Sequence, residues 1–418
     1  MKPNFQTRTV EELTETLIDY RGKTPKKVKK GVKLITARVV KNGYIESETH
    51  EYIAEDSYEA WMTRGLPKQW DILITTEAPL GEVAQIRTSE RVALAQRIIL
   101  LRGNPAQIDQ QYFFQALKSD FVQGELIARS TGTTVAGIKQ SELRQVRVPY
   151  YHLEVQHKIA GILSAYDDLI ENNTRRIKIL EEMAQLLYRE WFVNFRFPGH
   201  EDVKLVESAI GLIPEGWEFR SLGEIAKEVR RGVNPENVDP GTPYLGLEHF
   251  PRKSIALSEW GKASDIQSTK LVFKKGEILF GKIRPYFHKV GVAPLDGICS
   301  SDVIVIQPKD EQFFALILTC VSSEAFVDHA TQTSQGTKMP RANWDVLIKY
   351  PIPVPPPELL DSFNDFLKTI VNQIHNLTFK NRNLRQTRDR LLPKLISGEI
   401  DVEALDLGSL EMGETKVA

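Results

Sequence analysis

Cysteine is almost missing from this chain, with only Cys299 and Cys320 among 418 residues. Two thiols cannot build a disulfide framework or the usual four-ligand zinc site, so we expect both to be reduced. Long apolar runs are missing as well, since "RVALAQRIILL" and "FFALILTCV" fall well short of the roughly 20 residues that cross a bilayer. The start "MKPNFQTRTVEEL" has no apolar signal core. The sequence therefore predicts a cytoplasmic protein without a membrane partner.

The motifs of common catalytic sites are also missing. We find no G-x-S-x-G, H-E-x-x-H, paired C-x-x-C or Gly-rich dinucleotide fingerprint, and the eight histidines are scattered. The Pro-Pro-aromatic motif with which amino-methyltransferases hold a flipped base is absent. "GEILFGKI", residues 276–283, resembles a phosphate-binding loop but ends in Ile where Ser or Thr would hold the metal, and its apolar interior predicts a strand. We therefore expect no catalytic residue, no metal and no cofactor in this chain.

Acidic residues are missing from one stretch of an otherwise balanced sequence. The formal net charge is −1, yet residues 21–41 carry nine Lys or Arg and no Asp or Glu. Apolar residues make up 41% and charged residues 26%, as in an ordinary folded protein, so the run is not part of a disordered polycation. Such a run is either a solvated loop or a patch for polyanions, because positive charge gathered on one face lets a near-neutral protein bind nucleic acid.

The chain is an internal duplication, with the halves in register at a shift of about 204 residues. "STGTTVAGIKQSELRQVRVP" aligns with "TSQGTKMPRANWDVLIKYPIP", which places Gly132 on Gly336, Leu143 on Leu347 and Pro149 on Pro353. Upstream, "WDILITTEAPLGEVA" answers "KGEILFGKIRPYFHKVGVA" after small shifts that loop insertions explain. In each half, short β-prone runs broken by Gly and Pro precede a stretch with helical periodicity. The fold class is therefore α/β (mixed α+β), a tandem duplication of a globular domain followed by a long helix.

The two long helices are predicted at 155–191 and 359–392, and we expect Pro393 to end the second. Their apolar residues are spaced by threes and fours, which favours packing of the helices on each other as an antiparallel coiled coil. The alternative is that each seam only covers its own domain, but about 37 residues make ~55 Å of helix, longer than a small domain needs. The predicted seam consists of Ile159, Ile162, Tyr166, Ile170, Ile177, Leu180, Leu187, Phe363, Phe366, Ile370, Ile374, Leu377, Leu384 and Leu391.

Basic, turn and aromatic residues recur at equivalent places in the two globular halves. "GKIRPYFHKVG" at 281–291 and "GTKMPRANW" at 336–344 carry several cations, where the first half offers threonines. Lys and Arg on loops neutralise phosphates, and Arg or Thr that reaches base edges carries sequence information. The candidate DNA-binding residues are Arg21, Lys26, Lys27, Lys29, Lys30, Arg38, Lys41, Thr133, Thr134, Arg231, Lys282, Arg284, Tyr286, His288, Lys289, Lys338 and Arg341.

Three further segments resemble the specificity subunits of Type I restriction-modification enzymes. They are "LLYREWFVNFRFPGHE" after the first helix, "GLIPEGWEFRSLGEI" at the start of the second half, and "LLPKLISGEIDV" after the second helix. With the duplicated layout, the resemblance covers about residues 8–403. It implies target recognition domains at 1–150 and 216–354, spacer helices at 151–196 and 355–400, a linker at 197–215 and a C-terminal tail at 401–418.

The resemblance also implies a function and its partners. Each recognition domain would read one half of a split asymmetric site in double-stranded DNA, and the helices would set the gap and dock two modification subunits. Restriction subunits would join that core. S-adenosylmethionine, ATP and Mg²⁺ would be bound by those partners, not by this chain. The alternatives are a coiled-coil scaffold without DNA contacts and a nuclease or helicase subunit. The duplication further predicts that residues 1 to about 200 can pair with a second copy of themselves.

Overall fold

A computed structural model describes residues 5–20, 22, 24–41, 43–46, 51–132, 134–208, 211–403 and 405, and it divides into two compact units. Unit 1 comprises Met1–Asp168 and Arg385–Ala418, and unit 2 comprises Leu169–Leu384. Each unit therefore contains one globular half together with part of each long helix. The candidates Arg21 and Thr133 lie outside the described residues.

Unit 1 is built on a four-stranded antiparallel sheet. Strand Ile98–Gly103 lies at its centre, and alternate residues face two different cores: Ile99 and Leu101 face the helices, and Ile98 and Leu100 face a second sheet. Burial on both faces explains why this strand is a continuous apolar run rather than an alternating one. The strand order of this first sheet is Thr14–Asp19, Ile98–Gly103, Ile72–Thr76, Leu80–Gln85. The strand order of the second sheet is Glu51–Ile53, Val32–Ile35, Val92–Leu94. The two helices are Gln110–Leu117 and Asp120–Ala128.

Unit 2 repeats this arrangement, including a parallel pair in the second sheet. Pro243–Leu245 runs parallel to Gly297–Cys299, as Val32–Ile35 runs parallel to Val92–Leu94 in unit 1. Ile278–Gly281 is a buried strand, which confirms the strand predicted within 276–283. The first sheet is Ala226–Glu228, Val303–Pro308, Ile278–Gly281, Val290–Val292; the second is Arg231–Val233, Lys270–Phe273, Gly297–Cys299, Pro243–Leu245, Gly261–Lys262; the helices are Phe314–Val321 and Glu324–Gln332.

Short elements frame the two globular halves. Each half opens with a strand that pairs with the strand just before its long helix. These pairs are Gln6–Thr9 with Arg147–Tyr150 and Glu218–Ser221 with Pro351–Val354. Two further strand pairs are Leu205–Ser208 with Gly211–Pro214 and Val40–Lys41 with Tyr44–Ile45. The short helices are Val10–Leu13, Tyr58–Trp61, Gln140–Arg144, Leu222–Ile225 and Trp344–Leu347.

The first long helix spans Leu153–Tyr188 and continues as a π-turn to Val193, and the second spans Pro357–Ile396. The prediction that Pro393 ends the second helix is wrong, because the helix includes Pro393 and continues for three residues. Pro393 removes one helical N–H, as any proline inside a helix does. Leu395 and Ile396, both buried in the core of unit 1, hold the last turn in place.

Within each unit, segments of the two long helices pack antiparallel. In unit 1, Ile159 and Leu163 share a core with Leu392 and Leu395. In unit 2, the ring centroids of Trp191 and Phe363 lie 5.5 Å apart. Of the predicted seam residues, six are buried and seven are half-buried. The buried ones are Ile159, Ile170, Phe363, Ile370, Ile374 and Leu377; the half-buried ones are Ile162, Tyr166, Ile177, Leu180, Leu187, Leu384 and Leu391.

Phe366 is the one seam residue that the prediction placed wrongly. Its side chain is 46% exposed, and the neighbouring Leu367 is buried instead. Since an α-helix has 3.6 residues per turn, Phe363, Leu367 and Ile370 fall on one face of the helix. Phe366, three residues after Phe363, lies at the exposed side of that face.

Both cysteines are free and buried, and burial raises the pKa of each thiol to about 12. Among the described residues, no group of three or more His, Cys, Asp or Glu side chains is arranged to hold a metal ion. No single helix in the described part of the chain is long and apolar enough to cross a membrane, although the bent pair Glu311–Val321 and Glu324–Gln332 passes that test by length and composition.

Candidate nucleic-acid interface

Two basic stretches that lie about 50 residues apart in the sequence meet in unit 2. The turn after strand Ile278–Gly281 lies beside a hairpin at 335–341, because Ala342 N donates to Lys282 O at 2.9 Å and Arg284 N donates to Pro340 O at 2.7 Å. A third segment, which follows strand Gly297–Cys299, contacts the turn through a hydrogen bond of 2.9 Å from Lys282 N to Asp302 O. We call the meeting point of these three segments the unit 2 junction.

The same junction exists in unit 1, with counterparts of two of these backbone hydrogen bonds. Ile138 N donates to Thr76 O at 2.9 Å, and Thr76 N donates to Arg97 O at 3.0 Å. The hairpin at 131–137 is closed by reciprocal bonds between Thr131 and Gly137 of 2.8 and 2.9 Å. The duplication therefore preserves the backbone that presents these loops.

Glycine is required where each hairpin turns. Gly132 and Gly336 have φ values of +107° and +98°, which residues other than glycine rarely adopt. A Cβ atom on Gly132 would also lie 2.4 Å from the carbonyl oxygen of Val135. The glycines found in the sequence repeat thus fix the shape of the two hairpins.

The side chains at the two junctions differ although the backbones correspond. Arg341 of unit 2 stands where unit 1 has Gly137, and Asp302 stands where unit 1 has Arg97. In unit 1, Arg97 Nε lies 2.8 Å from Glu77 Oε1. In unit 2 the equivalent of Arg97 is an anion instead of a cation: Asp302 Oδ1 lies 3.8 Å from Nε of Arg341 on the hairpin. The same frame therefore offers two different sets of hydrogen-bonding groups.

The unit 2 junction is rich in cations and has aromatic side chains beside them. Lys338 and Arg341 are exposed on the hairpin, Lys282 and Arg284 are half-buried on the turn, and Tyr286 is 51% exposed. The neighbouring ring of Phe287 lies 4.8 Å from the ring of Tyr286, and the guanidinium of Arg252 lies 4.3 Å from the centroid of Phe287. Such a group of cations and rings is suited to phosphates and base edges.

In unit 1 the positive charge comes from the Lys-rich run instead. Lys26, Lys29 and Lys30 are exposed in the segment before strand Val32–Ile35. Thr24 Oγ1, in the same segment, accepts from Gln96 Nε2 at 3.2 Å, and Gln96 precedes Arg97 of the junction. The run thus reaches the junction whose own Arg97 is neutralised by Glu77.

Three further candidate residues in unit 1 form ion pairs, and a fourth is exposed. Lys27 and Arg38 share the carboxylate of Glu51, at 2.7 and 3.2 Å. Lys41 lies 3.3 Å from Glu46, and Thr134 is exposed at the tip of the hairpin. Ion pairs of exposed side chains are weak, so phosphates can compete for Lys27, Arg38 and Lys41.

Three candidate residues of unit 2 have other structural roles. His288 is buried, its Nε2 lies 2.9 Å from Ser322 O, and burial lowers its pKa, which favours the neutral form. Lys289 donates to Leu247 O, and burial lowers the pKa of its ammonium. Arg231 forms a bidentate pair with Glu277 at 2.7 and 3.0 Å. These three side chains are therefore engaged by other groups of unit 2.

The structure adds residues that the sequence patterns did not single out. Glu77, Arg97 and Asp302 follow apolar strands, where a single charged residue looks like an ordinary end of a strand. Their alignment in the repeat is the signal that could have found them, because each falls at a corresponding position with a different side chain.

Comparisons with known proteins agree with the duplication. The family model described as "Type I restriction modification DNA specificity domain" matches residues 3–182 and 214–384. The MjaIX specificity subunit of a Type I restriction enzyme from Methanocaldococcus jannaschii is 28% identical over 368 residues, covering 84% of this chain and 82% of its own. The EcoDI specificity subunit of Escherichia coli is 24% identical, covering 72% of each chain.

A solved structure supports the fold. The S subunit of a Type I restriction-modification system from M. genitalium aligns with a TM-score of 0.56 at 16% sequence identity, over 94% of this chain and 96% of that one. At this identity the likeness concerns the fold alone, which is the tandem arrangement described above.

Proposed function

The chain belongs to the Type I restriction-modification DNA specificity family, and we propose that it is the DNA-recognition subunit of such a complex, with one half of a bipartite asymmetric target read by each unit. The chain is a non-catalytic specificity subunit, as its relatives are. The observation that carries the proposal on DNA reading is the duplicated junction, which presents different side chains on the same backbone in the two units.

We assign the contacts with DNA to the junctions and the Lys-rich run. In unit 2, Lys282, Arg284, Tyr286, Lys338 and Arg341 would face the duplex. In unit 1, Thr134 and Arg97 would lie with Lys26, Lys29 and Lys30. Arg and Lys can bind guanine edges or phosphates, and Thr can contact either partner of a base pair, so the two junctions would read different bases.

The helices would dock two modification subunits, and restriction subunits would complete the assembly. S-adenosylmethionine, ATP and Mg²⁺ would be bound by these partners. The recognition domains would lie at 1–150 and 216–354, with spacer helices at 151–196 and 355–400. Because double-stranded DNA would be its target, we place the complex in the cytoplasm.

A gel-shift experiment on the purified full chain tests direct DNA contact. At low salt the chain should retard a random duplex, and the double change Lys338→Glu, Arg341→Glu should weaken retardation at least tenfold. Arg196→Glu, on the exposed segment after the first long helix, is the matched control and should leave retardation nearly unchanged. Failure of the unchanged chain to bind DNA, alone or with a modification subunit, would favour the scaffold alternative.

A further inference from the structure

Buried polar side chains interrupt the apolar faces of the two long helices. In unit 1, Arg388 Nη1 of the second helix lies 2.5 Å from Asp167 Oδ1 of the first, and both side chains are less than 10% exposed. In unit 2, Asn173 Nδ2 of the first helix donates to Asn381 Oδ1 of the second at 2.9 Å. Asn381 Nδ2 in turn donates to Ile170 O at 3.3 Å and to Thr174 Oγ1 at 3.1 Å.

The duplication does not repeat these polar pairs. At the shift of 204 residues, Asp167 corresponds to Val371 and Arg388 corresponds to Ala184. Likewise, Asn173 corresponds to Leu377 and Asn381 to Ile177. Val371, Ala184 and Leu377 are buried, and Ile177 is half-buried. Each half therefore contributes one member of every polar pair and an apolar residue at every equivalent place.

Pairing of one half with a copy of itself would leave these polar groups without partners. Two copies of the second half would place each Arg388 against Val371 and each Asn381 against Leu377. A buried guanidinium without a carboxylate is strongly unfavourable. Arg388 would keep only Asp389, whose side chain is 60% exposed.

Two copies of the first half would suffer a smaller penalty. Each Asp167 would face Ala184 and each Asn173 would face Ile177. Asp167 would keep Gln115 Nε2 at 2.7 Å and Lys118 Nζ at 3.9 Å, both from its own half. The three pairings therefore differ in how many buried polar groups they satisfy, and the pairing of unlike halves satisfies the most.

We infer that the polar residues on the two helix faces make each half specific for the other half and against a second copy of itself. The order of preference is first half with second half, then two first halves, then two second halves. This specificity opposes the self-pairing of residues 1 to about 200 that the sequence repeat alone predicts. A buried polar pair that selects partner and register in packed helices is a known use of such residues.

The inference can be tested in the full chain by giving one helix the residues of the other. Arg388→Ala with Asn381→Ile places first-half residues opposite Asp167 and Asn173, which imitates two first halves. Asp167→Val with Asn173→Leu places second-half residues opposite Arg388 and Asn381, which imitates two second halves. The four changes together give an apolar pair at both places. The measurements are the thermal unfolding midpoint and the mass in solution by light scattering.

We expect the first double variant to lower the midpoint by about 5 °C and the second by about 10 °C or more. The variant with all four changes should unfold at a clearly higher temperature than the second double variant, although Gln115 and Lys118 still lose Asp167 in it. If a double variant is insoluble while the fourfold variant is soluble and folded, the outcome supports the inference equally. The inference would be overturned if the midpoints of both double variants lay within about 2 °C of that of the wild type. It would also be overturned if the variant with all four changes were as unstable or insoluble as the second double variant. Single Asp389→Asn, which changes the exposed partner of Arg388, serves as the control and should shift the midpoint by less than about 2 °C.

Discussion

Arg97 and Asp302 occupy the same position in the two halves of the chain. The backbone carbonyl of each accepts a hydrogen bond from the place where the corresponding strand ends, from Thr76 N in unit 1 at 3.0 Å and from Lys282 N in unit 2 at 2.9 Å. One side chain is a cation and the other an anion, so the shared backbone does not impose a shared function on the side chain. This separation of frame from side chain is what a subunit with two readers of different half-sites requires.

Our first prediction concerns Arg341, which is 55% exposed on the hairpin of unit 2. Arg341→Gln in the reassembled complex should relax the sequence requirement in the second half-site alone, because a lost Arg–base contact removes about 1–3 kcal/mol of discrimination. Sequencing of methylated sites measures this directly, with Arg196→Gln as the control. Relaxation of both half-sites together, or of neither, would refute the assignment of Arg341.

The second prediction concerns the Lys-rich run. Lys29→Glu with Lys30→Glu should weaken binding about equally for all DNA sequences, because these exposed lysines would neutralise phosphates. Each lost phosphate contact should reduce the slope of log affinity against log salt by about 0.9. Titrations at several salt concentrations give the slope, and an unchanged slope would show that the run is only a solvated loop.

The strands and the two long helices were predictable from the sequence because each depends on local periodicity, and the repeat was predictable because the two halves of the sequence align. The junctions were not, since 276–291 and 333–344 meet only through the fold of unit 2. His288 and Lys289 illustrate the same limit: they look like surface cations in the sequence, yet one is buried and the other binds a backbone carbonyl. Charge is visible in a sequence, whereas burial and pairing are not.

Asn381 and Arg388 are polar residues whose place in the second helix is visible in the sequence but whose partners are not. Both interrupt the apolar spacing of the second helix, and a pattern alone suggests looser packing there. Their partners, Asn173 and Asp167, lie more than 200 residues away, so no local feature indicates that the interruptions are matched. Only the three-dimensional contacts reveal a paired polar seam.

A third prediction tests the face of the second helix that is buried. Phe363→Ala should lower the free energy of unfolding by about 3–5 kcal/mol, because Phe363 is fully buried and its ring lies 4.6 Å from that of Phe192. Phe366→Ala, one turn away and 46% exposed, is the matched control and should cost less than about 1 kcal/mol. Denaturant unfolding compares the two variants, and equal losses would contradict the packing described.

The fourth prediction is a dependence of stability on pH. Burial lowers the pKa of Lys118 to about 8 from an ordinary value of 10.5, although Asp167 nearby acts in the opposite direction. Between these values the unfolded chain holds the proton and the folded chain does not, so this group makes the folded chain more stable as pH rises from about 8 to 10.5. The contribution is at most about 1.4 kcal/mol per pH unit.

Lys118→Met removes the titrating group and should make the stability rise less steeply, or fall more steeply, between pH 8 and 10 than in the wild type. Lys139→Met, which changes an exposed lysine of the same unit, should leave the wild-type pH profile unchanged. Identical profiles for the Lys118 variant and the wild type, measured by denaturant unfolding, would show that Lys118 is not held in a charge-disfavouring site.

The most direct test of the account exchanges one recognition domain. Residues 216–354 would be replaced by the corresponding segment of a relative with a different target, and the sites methylated by the reassembled complex would be sequenced. We predict that the first half-site stays the same while the second changes to that of the relative. A target in which both half-sites change, or in which neither does, would contradict the claim that each globular half reads its own half of the site.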